Sequence, residues 1–428
     1  MLIRFGIASF YDMKANLILI LSLLLSQFAQ SQDAQWRGPE RNGRFPETEL
    51  LKKWPEGGPE MILKVEGLGM GYSSPVLHKG IIYITGSKNS EDYLSAVDLE
   101  GNVKYQTKYG SCWGNTYPEA RSTPTVDNDR VYVISGMGEV ACLNAEDGSI
   151  VWSVDANSQF HGEVHKWGIA ESPLLIDNKV LYTCGGNEAS VVALNKFTGK
   201  LEWKAKSLGG ERTYVSPVIF HQKGDSLIVA LTAHHVLGIV PENGEIIWYY
   251  EYLPPGGASA RGATNNTNSP IIKGNEIFVS KGYDQYGVML RVDSQNNTIK
   301  EIWRSSVMDT HHGHYVFEGD YIYGTNWITN SQGNWVCLDW KTGDVMYNEK
   351  WHTKGSIVFA DGLLYCYEER GGNLALVRPT PKKFDIISSF KITDGTGPHW
   401  AHPYLADKKL LIRHGEVLMV FDISDKEG

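Results

Sequence analysis

The chain has 428 residues with 40 basic and 49 acidic side chains, so its formal net charge at pH 7 is −9. This mild acidity argues against general nucleic-acid binding, and a hydrophobic content of 42% is typical of a folded globular protein. The 45 Gly, 13 Trp and 22 Tyr residues indicate many tight turns between aromatic-rich strands, which favours an all-β fold.

The first 31 residues predict a secretory signal peptide. Two basic residues precede the apolar run 17–25, and small residues lead to Ser31, after which we expect cleavage. Met13 is followed by a lysine and makes a more typical start than Met1. Because the apolar run is too short to cross a bilayer permanently, we predict a periplasmic or secreted protein without a transmembrane segment.

Residues 32–59 are rich in Pro, Gly and charged residues and show no strand pattern. We predict an irregular N-terminal arm that lies across the outside or the bottom of the following domain. No linker or shift in composition follows the arm, so residues 60–428 are predicted to form one domain.

A repeat runs through this domain. Each unit starts at Ser-Pro or a related pair, continues through short apolar strands and a Gly-containing turn, and ends on a strand that carries an aromatic residue. The aromatic positions are spaced by 43 to 55 residues, and Asn297 replaces the turn glycine in one unit. Four strands in such a period are typical of a propeller blade. The aromatic positions are Tyr105, Trp152, Trp203, Trp248, Trp303, Tyr347 and Phe390.

The last unit supplies only three strands, near 404–405, 409–413 and 417–422. The segment 61–66 (MILKVE) has the pattern of an outer strand, with Leu63 at the Trp position. Pairing it with the last three strands closes the ring and removes two sheet edges. We therefore predict a monomeric, eight-bladed β-propeller of four-stranded antiparallel blades.

The five cysteines do not indicate redox or zinc chemistry. Their number is odd and the sequence contains neither an adjacent pair nor a Cys-x-x-Cys motif. They are Cys112, Cys142, Cys184, Cys337 and Cys366.

The segment ALNKFTGKLEW (193–203) contains Leu-Asn, Thr-Gly-Lys and Trp at the spacing of a known repeat. It resembles the repeat of pyrroloquinoline-quinone (PQQ)-type propellers, and QWRGPERNG and GYSSPV resemble an exported bacterial branch of that family. The resemblance extends over about residues 36–422 and implies the fold. It does not imply one function, because members include quinoprotein dehydrogenases of alcohols or sugars and a cofactor-free, protein-binding subunit of the outer-membrane barrel assembly machine.

The sequence departs from the enzyme pattern of that family. Quinoprotein alcohol dehydrogenases carry a disulfide between adjacent cysteines and a Glu/Asn/Asp set that holds calcium near the quinone. This chain has no adjacent cysteines, and no such set aligns with it. The resemblance therefore supplies no catalytic residue, and PQQ with calcium stays open as a cofactor.

The loops that lead from the outer strand of one blade to the inner strand of the next open on the face where propellers usually bind ligands. Here they are rich in His, Arg and aromatic residues. Arg121, Arg212, Arg261 and Lys354 are expected to attract an anion, and the aromatic rings to stack on a quinone or sugar. The candidate ligand- or cofactor-binding residues are Tyr72, Arg121, Trp167, Glu171, Arg212, Asn266, His312, His314, Lys354, Trp400 and His402.

The His-x-His pair in this set also raises the question of a metal site. His312 and His314, with His402 or Glu171, offer imidazole and carboxylate ligands. Without a recognised ligand frame, structural or hydrogen-bonding histidines are favoured, and we predict no metal.

Three functions follow from these features. We favour a module that binds a small molecule, a sugar or a protein at the channel mouth. The alternative is a PQQ-dependent dehydrogenase that oxidises an alcohol or sugar. A weaker alternative, motivated by export and the aromatic and basic loops, is carbohydrate recognition in polysaccharide utilisation.

Overall fold

A computed structural model describes residues 34–222, 224–253, 256–260 and 262–426. The predicted signal peptide and Arg261 lie outside the described residues, so the signal peptide stays a prediction. The described chain starts with strands β1 (Arg44–Phe45) and β2 (Glu60–Val65). A helix of four residues, α1 (Ala156–Gln159), lies between the second and third blades.

The first four blades are four-stranded antiparallel sheets whose strands follow chain order from the inner to the outer edge. Blade 1 comprises β3 (Val76–His78), β4 (Ile81–Lys88), β5 (Glu91–Asp98) and β6 (Val103–Ser111). Blade 2 comprises β7 (Thr125–Asp127), β8 (Arg130–Ile134), β9 (Glu139–Asn144) and β10 (Ile150–Asp155). Blade 3 comprises β11 (Leu174–Ile176), β12 (Lys179–Thr183), β13 (Ala189–Asn195) and β14 (Leu201–Lys206). Blade 4 comprises β15 (Val218–Gln222), β16 (Asp225–Leu231), β17 (His235–Ile239) and β18 (Ile246–Glu251).

The remaining blades repeat this order. Blade 5 comprises β19 (Ile271–Lys273), β20 (Glu276–Ser280), β21 (Gly287–Asp293) and β22 (Thr298–Ser305). Blade 6 comprises β23 (Tyr315–Glu318), β24 (Tyr321–Thr325), β25 (Trp335–Asp339) and β26 (Val345–Glu349). Blade 7 comprises β27 (Gly355–Ala360), β28 (Leu363–Glu368), β29 (Asn373–Arg378) and β30 (Asp385–Lys391). Blade 8 comprises β31 (Tyr404–Ala406), β32 (Lys409–His414) and β33 (Val417–Asp422), with β2 as its outer strand.

The eighth blade closes the ring as predicted. β2 pairs antiparallel with β33, and Leu63 lies opposite Val420. The register shifts between Met61 and Leu63, as it does between Ile150 and Trp152 in blade 2. Leu63 therefore occupies the position that an aromatic residue takes in the other blades, and the prediction of an eight-bladed propeller is confirmed.

The outer-strand Trp residues hold neighbouring blades together. Trp203 of blade 3 donates its indole N–H to Pro241 O of blade 4 at 2.8 Å. Gly244 in the same hairpin has φ +77° and lies over the Trp203 ring, where a Cβ atom would be 2.5 Å from Cε3. Trp152 and Trp303 make the same kind of indole hydrogen bond to the following blade.

The Ser-Pro pairs form a chain of hydrogen bonds between the inner edges of the blades. In each of these bonds a backbone N–H of one blade donates to a Ser or Thr hydroxyl of the next blade, at 2.9 to 3.1 Å. The successive donor and acceptor residues are Ser74, Thr123, Ser172, Ser216 and Ser269. Each hydroxyl thus accepts from the preceding blade, while the proline that follows has no N–H to satisfy. The repeat motif is explained by this contact.

The first half of the N-terminal arm lies inside the ring, whereas the prediction placed the whole arm across the outside or the bottom. β1 pairs in parallel with the inner strand β27 of blade 7. At the start of the arm, Ala34 forms an antiparallel bridge to Val126 in the inner strand of blade 2. The arm therefore crosses the interior of the ring between these blades.

Buried arginines explain this position of the arm. Arg37 donates to the carbonyl oxygens of Tyr315 at 2.8 Å and Ile357 at 3.0 Å. Arg41 donates to Pro173 O at 2.8 Å. Inner strands have carbonyl groups that face no further strand, and buried carbonyls need donors. The guanidinium groups supply them, although in the sequence the same residues look like those of a solvated segment.

The second half of the arm leads to blades 7 and 8. Leu50 bridges to Ser424, and the Trp54 ring packs edge-on against Tyr365 and Phe390, with centroids 5.8 and 5.5 Å away.

All five cysteines are buried and unpaired. Among the described residues, the structure contains no helix with the length and apolar character that a bilayer crossing requires.

Candidate functional site at the channel mouth

Two sets of loops form one face of the ring. One set joins the outer strand of a blade to the inner strand of the next blade, and it contains the candidate residues suggested by the sequence. The other joins the second and third strands within a blade. Trp167, from the first set, stacks on Tyr283, from the second set, with centroids 6.1 Å apart and ring planes 14° apart. The candidate site therefore includes residues of both sets.

A continuous series of rings, the aromatic belt, crosses this face. Neighbouring ring centroids lie 4.2 to 6.1 Å apart, a range in which aromatic rings attract each other. Tyr72 packs against Trp400 at 4.8 Å and extends the belt. The belt consists, in order of contact, of Tyr117, Trp400, His312, His311, Tyr283, Trp167, Tyr214 and His165.

Part of the belt is accessible from outside. Tyr117 is 50% exposed, and Trp167, Tyr283 and Trp400 are half-buried. The ammonium group of the exposed Lys166 lies 4.5 Å from the centroid of the Trp167 ring, in cation–π geometry. The face thus presents aromatic rings with a cation at their edge.

Arg121 and Tyr72 lie at the Trp400 end of the belt. Arg121 is partly buried and donates to the carbonyl oxygens of Glu119 and Tyr117. Burial lowers the pKa of Arg121, while the neighbouring Tyr72 opposes this shift. Burial raises the pKa of Tyr72, and its hydrogen bond to Glu119 acts in the same direction. Arg121 thus fixes the loop that presents Tyr117.

Glu171 and Arg212 form a fully buried ion pair between blades 3 and 4. Arg212 Nη2 lies 3.0 Å from Glu171 Oε2, and neither side chain is exposed. Glu171 also accepts from the backbone N–H and the hydroxyl of Thr183. Burial raises the pKa of Glu171 to about 7, and Arg212 opposes this rise. The structure thus places both residues in a blade junction rather than on the exposed face.

His314, His402 and Asn266 also have partners within the protein. The arm residue Trp36 packs against the rings of His314 and His402, with centroids 4.8 and 5.9 Å away. Arg37 Nη1 is 3.0 Å from His402 Nδ1. Asn266 is buried and donates its amide to Thr232 O at 2.7 Å.

Lys354 is buried beneath the belt beside Glu369. Its ammonium group lies 2.6 Å from Glu369 Oε1 and donates to Thr329 O at 3.0 Å and Asn330 O at 2.9 Å. Burial lowers the pKa of Lys354, and Glu369 opposes this shift. Burial raises the pKa of Glu369 to about 6, although Lys354 stabilises the carboxylate.

Of the residues that the sequence suggested as metal ligands, His312 is the histidine that lies beside a carboxylate. Its Nε2 atom lies 3.6 Å from Glu369 Oε2, and the neighbouring His311 joins the same group. Glu171 is engaged by Arg212, and His314 and His402 contact the arm.

Sequence reasoning missed Tyr283, Trp327 and Glu369. All three lie in loops between the second and third strands of a blade, and Tyr283 packs against Trp327 at 5.5 Å. The signal was available, because in an antiparallel blade the turn after the second strand opens on the same face as the loop before the first.

The described residues do not match the quinone that the fold family implies. A quinone with several carboxylates needs a free slot in the ring and free cations, but the arm crosses the ring interior. The four buried arginines of the described chain all donate to protein acceptors. The residues present therefore do not fit this cofactor. These arginines are Arg37, Arg41, Arg212 and Arg413.

The chain is similar in sequence to curated proteins over about a quarter to a half of its length. The BamB of Moranella endobia (strain PCIT), an outer membrane protein assembly factor, is 24% identical over 226 residues, 52% of this chain and 50% of that protein. The chain spans half or less of the length of the curated relatives it matches.

Two solved structures show the same fold. BamB from Moraxella catarrhalis has a TM-score of 0.61 at 12% identity, over 85% of this chain and 99% of that one. Quinohemoprotein alcohol dehydrogenase from Comamonas testosteroni has a TM-score of 0.66 at 12% identity, over 91% and 80%. At these identities the likeness shows the fold alone.

The family model described as "Outer membrane protein assembly factor BamB" matches residues 90–349, more than half of the chain. Together with the eight blades and their Ser-Pro and Trp positions, this match shows that the chain belongs to the BamB-type family of PQQ-like propellers.

Proposed function

We propose that this protein is a binding module that docks a segment of a partner protein on the aromatic belt. The single observation that carries the proposal is the belt itself, whose Tyr and Trp rings are partly exposed at the channel mouth. Tyr and Trp are enriched at protein interfaces and dominate their binding energy. The assembly-factor names of the curated relatives support a protein partner.

Two of the cations that the sequence suggested for a small anion are not free to bind one. Lys354 and Arg212 are engaged by Glu369 and Glu171, so their charge is compensated within the protein. A cavity of about 420 Å³ lies in blades 6 and 7, lined by Ile328, His352 and Arg370 among others. Ile328 is 47% exposed, and it follows Trp327 of the same loop, so the apolar face extends beyond the belt.

We also propose that the protein acts outside the cytoplasm, in the periplasm or as a secreted protein. The predicted signal peptide supports this location, as do relatives named for the assembly of outer-membrane proteins.

Photo-crosslinking in the native host tests the proposal, with two tyrosines of nearly equal exposure as the replaced sites. Tyr117 on the belt is 50% exposed, and Tyr249 on the outer strand β18 is 53% exposed. Each is replaced by a photoreactive phenylalanine derivative. We expect a discrete adduct from position 117 that position 249 does not give. Trp400→Ala should weaken the adduct at least about 10-fold, because truncating a central aromatic anchor costs about 2 kcal/mol or more. No adduct at 117, or the same adduct from 249, would overturn the proposal.

A saccharide is the second candidate ligand. Trp167 stacks nearly parallel on Tyr283 and is partly exposed, and a flat aromatic surface of this kind suits the apolar face of a sugar ring. Binding of a purified polysaccharide that is lost in Trp167→Ala, without a protein adduct at position 117, would favour this ligand instead.

A further inference from the structure

Two histidines and one carboxylate converge beside the belt. His312 Nε2 lies 3.6 Å and His311 Nδ1 lies 4.0 Å from the same oxygen, Glu369 Oε2. The three ligand atoms all lie within 4.8 Å of one another. They come from separate blades, because the two histidines precede blade 6 and Glu369 follows β28 in blade 7.

The two imidazole nitrogens that face Glu369 are buried and have no hydrogen-bond partner. His311 is 7% exposed and Glu369 is 3% exposed. A neutral imidazole that turns its lone pair toward a carboxylate is repelled, and a cation between them removes the repulsion.

The outer contacts already orient these groups. His311 Nε2 is 2.9 Å from the Tyr283 hydroxyl, and with Nε2–H donating to that oxygen, Nδ1 carries the lone pair. Lys354 contacts Glu369 Oε1 at 2.6 Å, and a hydrogen bond with the Trp400 side chain also holds the carboxylate. Hydrogen bonds of this kind to a histidine and a carboxylate are typical of the surroundings of metal ligands.

We propose that His311 Nδ1, His312 Nε2 and Glu369 Oε2 bind a divalent zinc ion. Two imidazoles and one carboxylate are ligands that zinc prefers. Zinc–ligand bonds of about 2.0–2.2 Å place tetrahedral ligand atoms about 3.3 Å apart, so side-chain shifts of about 1 Å or less form the site. Three protein ligands leave a fourth position.

Other histidine pairs on this face lack these features. His399 stacks on His414 at 3.6 Å, but both nitrogens of His414 lie 2.7 to 2.8 Å from carbonyl oxygens. His399 Nδ1 is within hydrogen-bond distance of the Tyr367 hydroxyl. His399→Gln is therefore a matched control, since it removes a buried imidazole of the same face that has no part in the zinc site.

Zinc affinity of the purified chain tests the inference independently of any partner. Metal is removed with a chelator, and Zn²⁺ is then titrated against a competing fluorescent chelator. Co²⁺, whose visible spectrum reports nitrogen and oxygen ligands, is used in a parallel titration. We expect one ion per chain with a micromolar or lower Kd. His312→Gln and Glu369→Gln should each weaken binding about 100-fold or more, and His399→Gln should change it less than about twofold.

Urea midpoints of the apo variants establish that each is folded. His312→Gln is the decisive variant, because this side chain is partly exposed and its loss leaves the blade contacts in place. Absence of one-to-one binding tighter than about 100 μM would overturn the zinc site. Unchanged affinity in His312→Gln, or equal loss in His399→Gln, would also overturn it.

Discussion

At the scale of single residues, the ion pair between Glu171 and Arg212 shows how a polar loop residue stabilises the ring. Both side chains are fully buried, so they give up hydration that only their mutual contact and the Thr183 and Tyr182 hydrogen bonds replace. Breaking such a pair leaves one charge without compensation, which costs more than removing both charges.

We predict that Arg212→Leu lowers the free energy of unfolding by about 3–5 kcal/mol at pH 8, where Glu171 is ionised. The double variant Glu171→Leu/Arg212→Leu should recover most of the loss, because it removes the uncompensated carboxylate as well. Urea unfolding followed by tryptophan fluorescence measures both. If the double variant were less stable than Arg212→Leu, the charge-compensation argument would be refuted.

The sequence indicated which residue types gather at the mouth but not which of them are buried. Arg121 and Arg212 both lie shortly before an inner strand, and no local pattern separates them. Arg212 is buried because Glu171 of the neighbouring blade faces it, whereas Arg121 binds carbonyls of its own loop. This difference depends on contacts between blades, which a repeat pattern does not specify.

At the scale of elements, the repeat was predictable because each blade uses the same contact with the next. The hairpin glycine of one blade lies over the outer-strand aromatic ring of the preceding blade, and both are conspicuous in the sequence. Gly244 over Trp203 is the clearest example. In blade 8, Leu63 of β2 stands at the aromatic position and packs toward Gly101 of blade 1. This pattern is also visible in the sequence, and it identified β2 as the outer strand of that blade.

Two glycines with the same φ of +77° separate the cost of backbone strain from that of packing. A Cβ atom on Gly80 would meet no atom within 4 Å, but on Gly244 it would lie 2.5 Å from the Trp203 ring. We predict that Gly80→Ala costs about 1 kcal/mol through strain alone. Gly244→Ala should cost about 1–3 kcal/mol more, because the indole must move.

The unfolding free energies of these two variants, measured in urea, check the prediction. Equal losses of unfolding free energy in the two variants would mean that the nearby Trp203 ring adds no packing cost to the backbone strain of the turn. A larger loss for Gly244→Ala would show that the close approach of the hairpin to the Trp203 ring requires glycine at this position.

The first half of the arm was the segment that sequence reasoning placed wrongly. β1 has only two residues and pairs in parallel with β27, so it produces no alternating pattern. Arg37 and Arg41 would be exposed in most irregular segments, but here they are only 2% exposed each. Their position depends on inner-strand carbonyls from several blades, which come together only when the ring closes.

At the scale of the whole molecule, the ring buries titratable groups of two kinds. Burial lowers the pKa of a set of histidines, to about 3 for two of them, and raises the pKa of a set of carboxyl groups to about 6 or 7. The histidines are His311, His312, His314, His399 and His402. The carboxyl groups are Asp92, Glu171, Asp309 and Glu369.

These two sets act in opposite directions on acid stability. A histidine whose pKa is lowered in the folded state binds more protons when unfolded, so stability falls as the pH drops from about 6.5 toward 3. A carboxyl group whose pKa is raised binds more protons when folded, so stability rises as the pH drops from about 7 toward 4. The pKa of His165, His234 and His235 is lowered as well, so the carboxyl groups offset only part of the histidine effect between about pH 6.5 and 4.5.

We therefore predict that the free energy of unfolding, measured in urea with a metal chelator present, falls less per pH unit between pH 6.5 and 4.5 than it does below pH 4. Below about pH 4 the buried carboxyl groups are protonated in both states, whereas the histidines, and carboxyl groups such as Asp422 whose pKa is lowered to about 2, still take up protons on unfolding. Each then contributes a loss of up to about 1.4 kcal/mol per pH unit, so stability should fall steeply. In His399→Gln about one proton fewer is taken up on unfolding, so the free energy of unfolding should fall less steeply with decreasing pH. A steady loss that begins at pH 6.5 would instead mean that the buried carboxyl groups stay ionised in the folded ring.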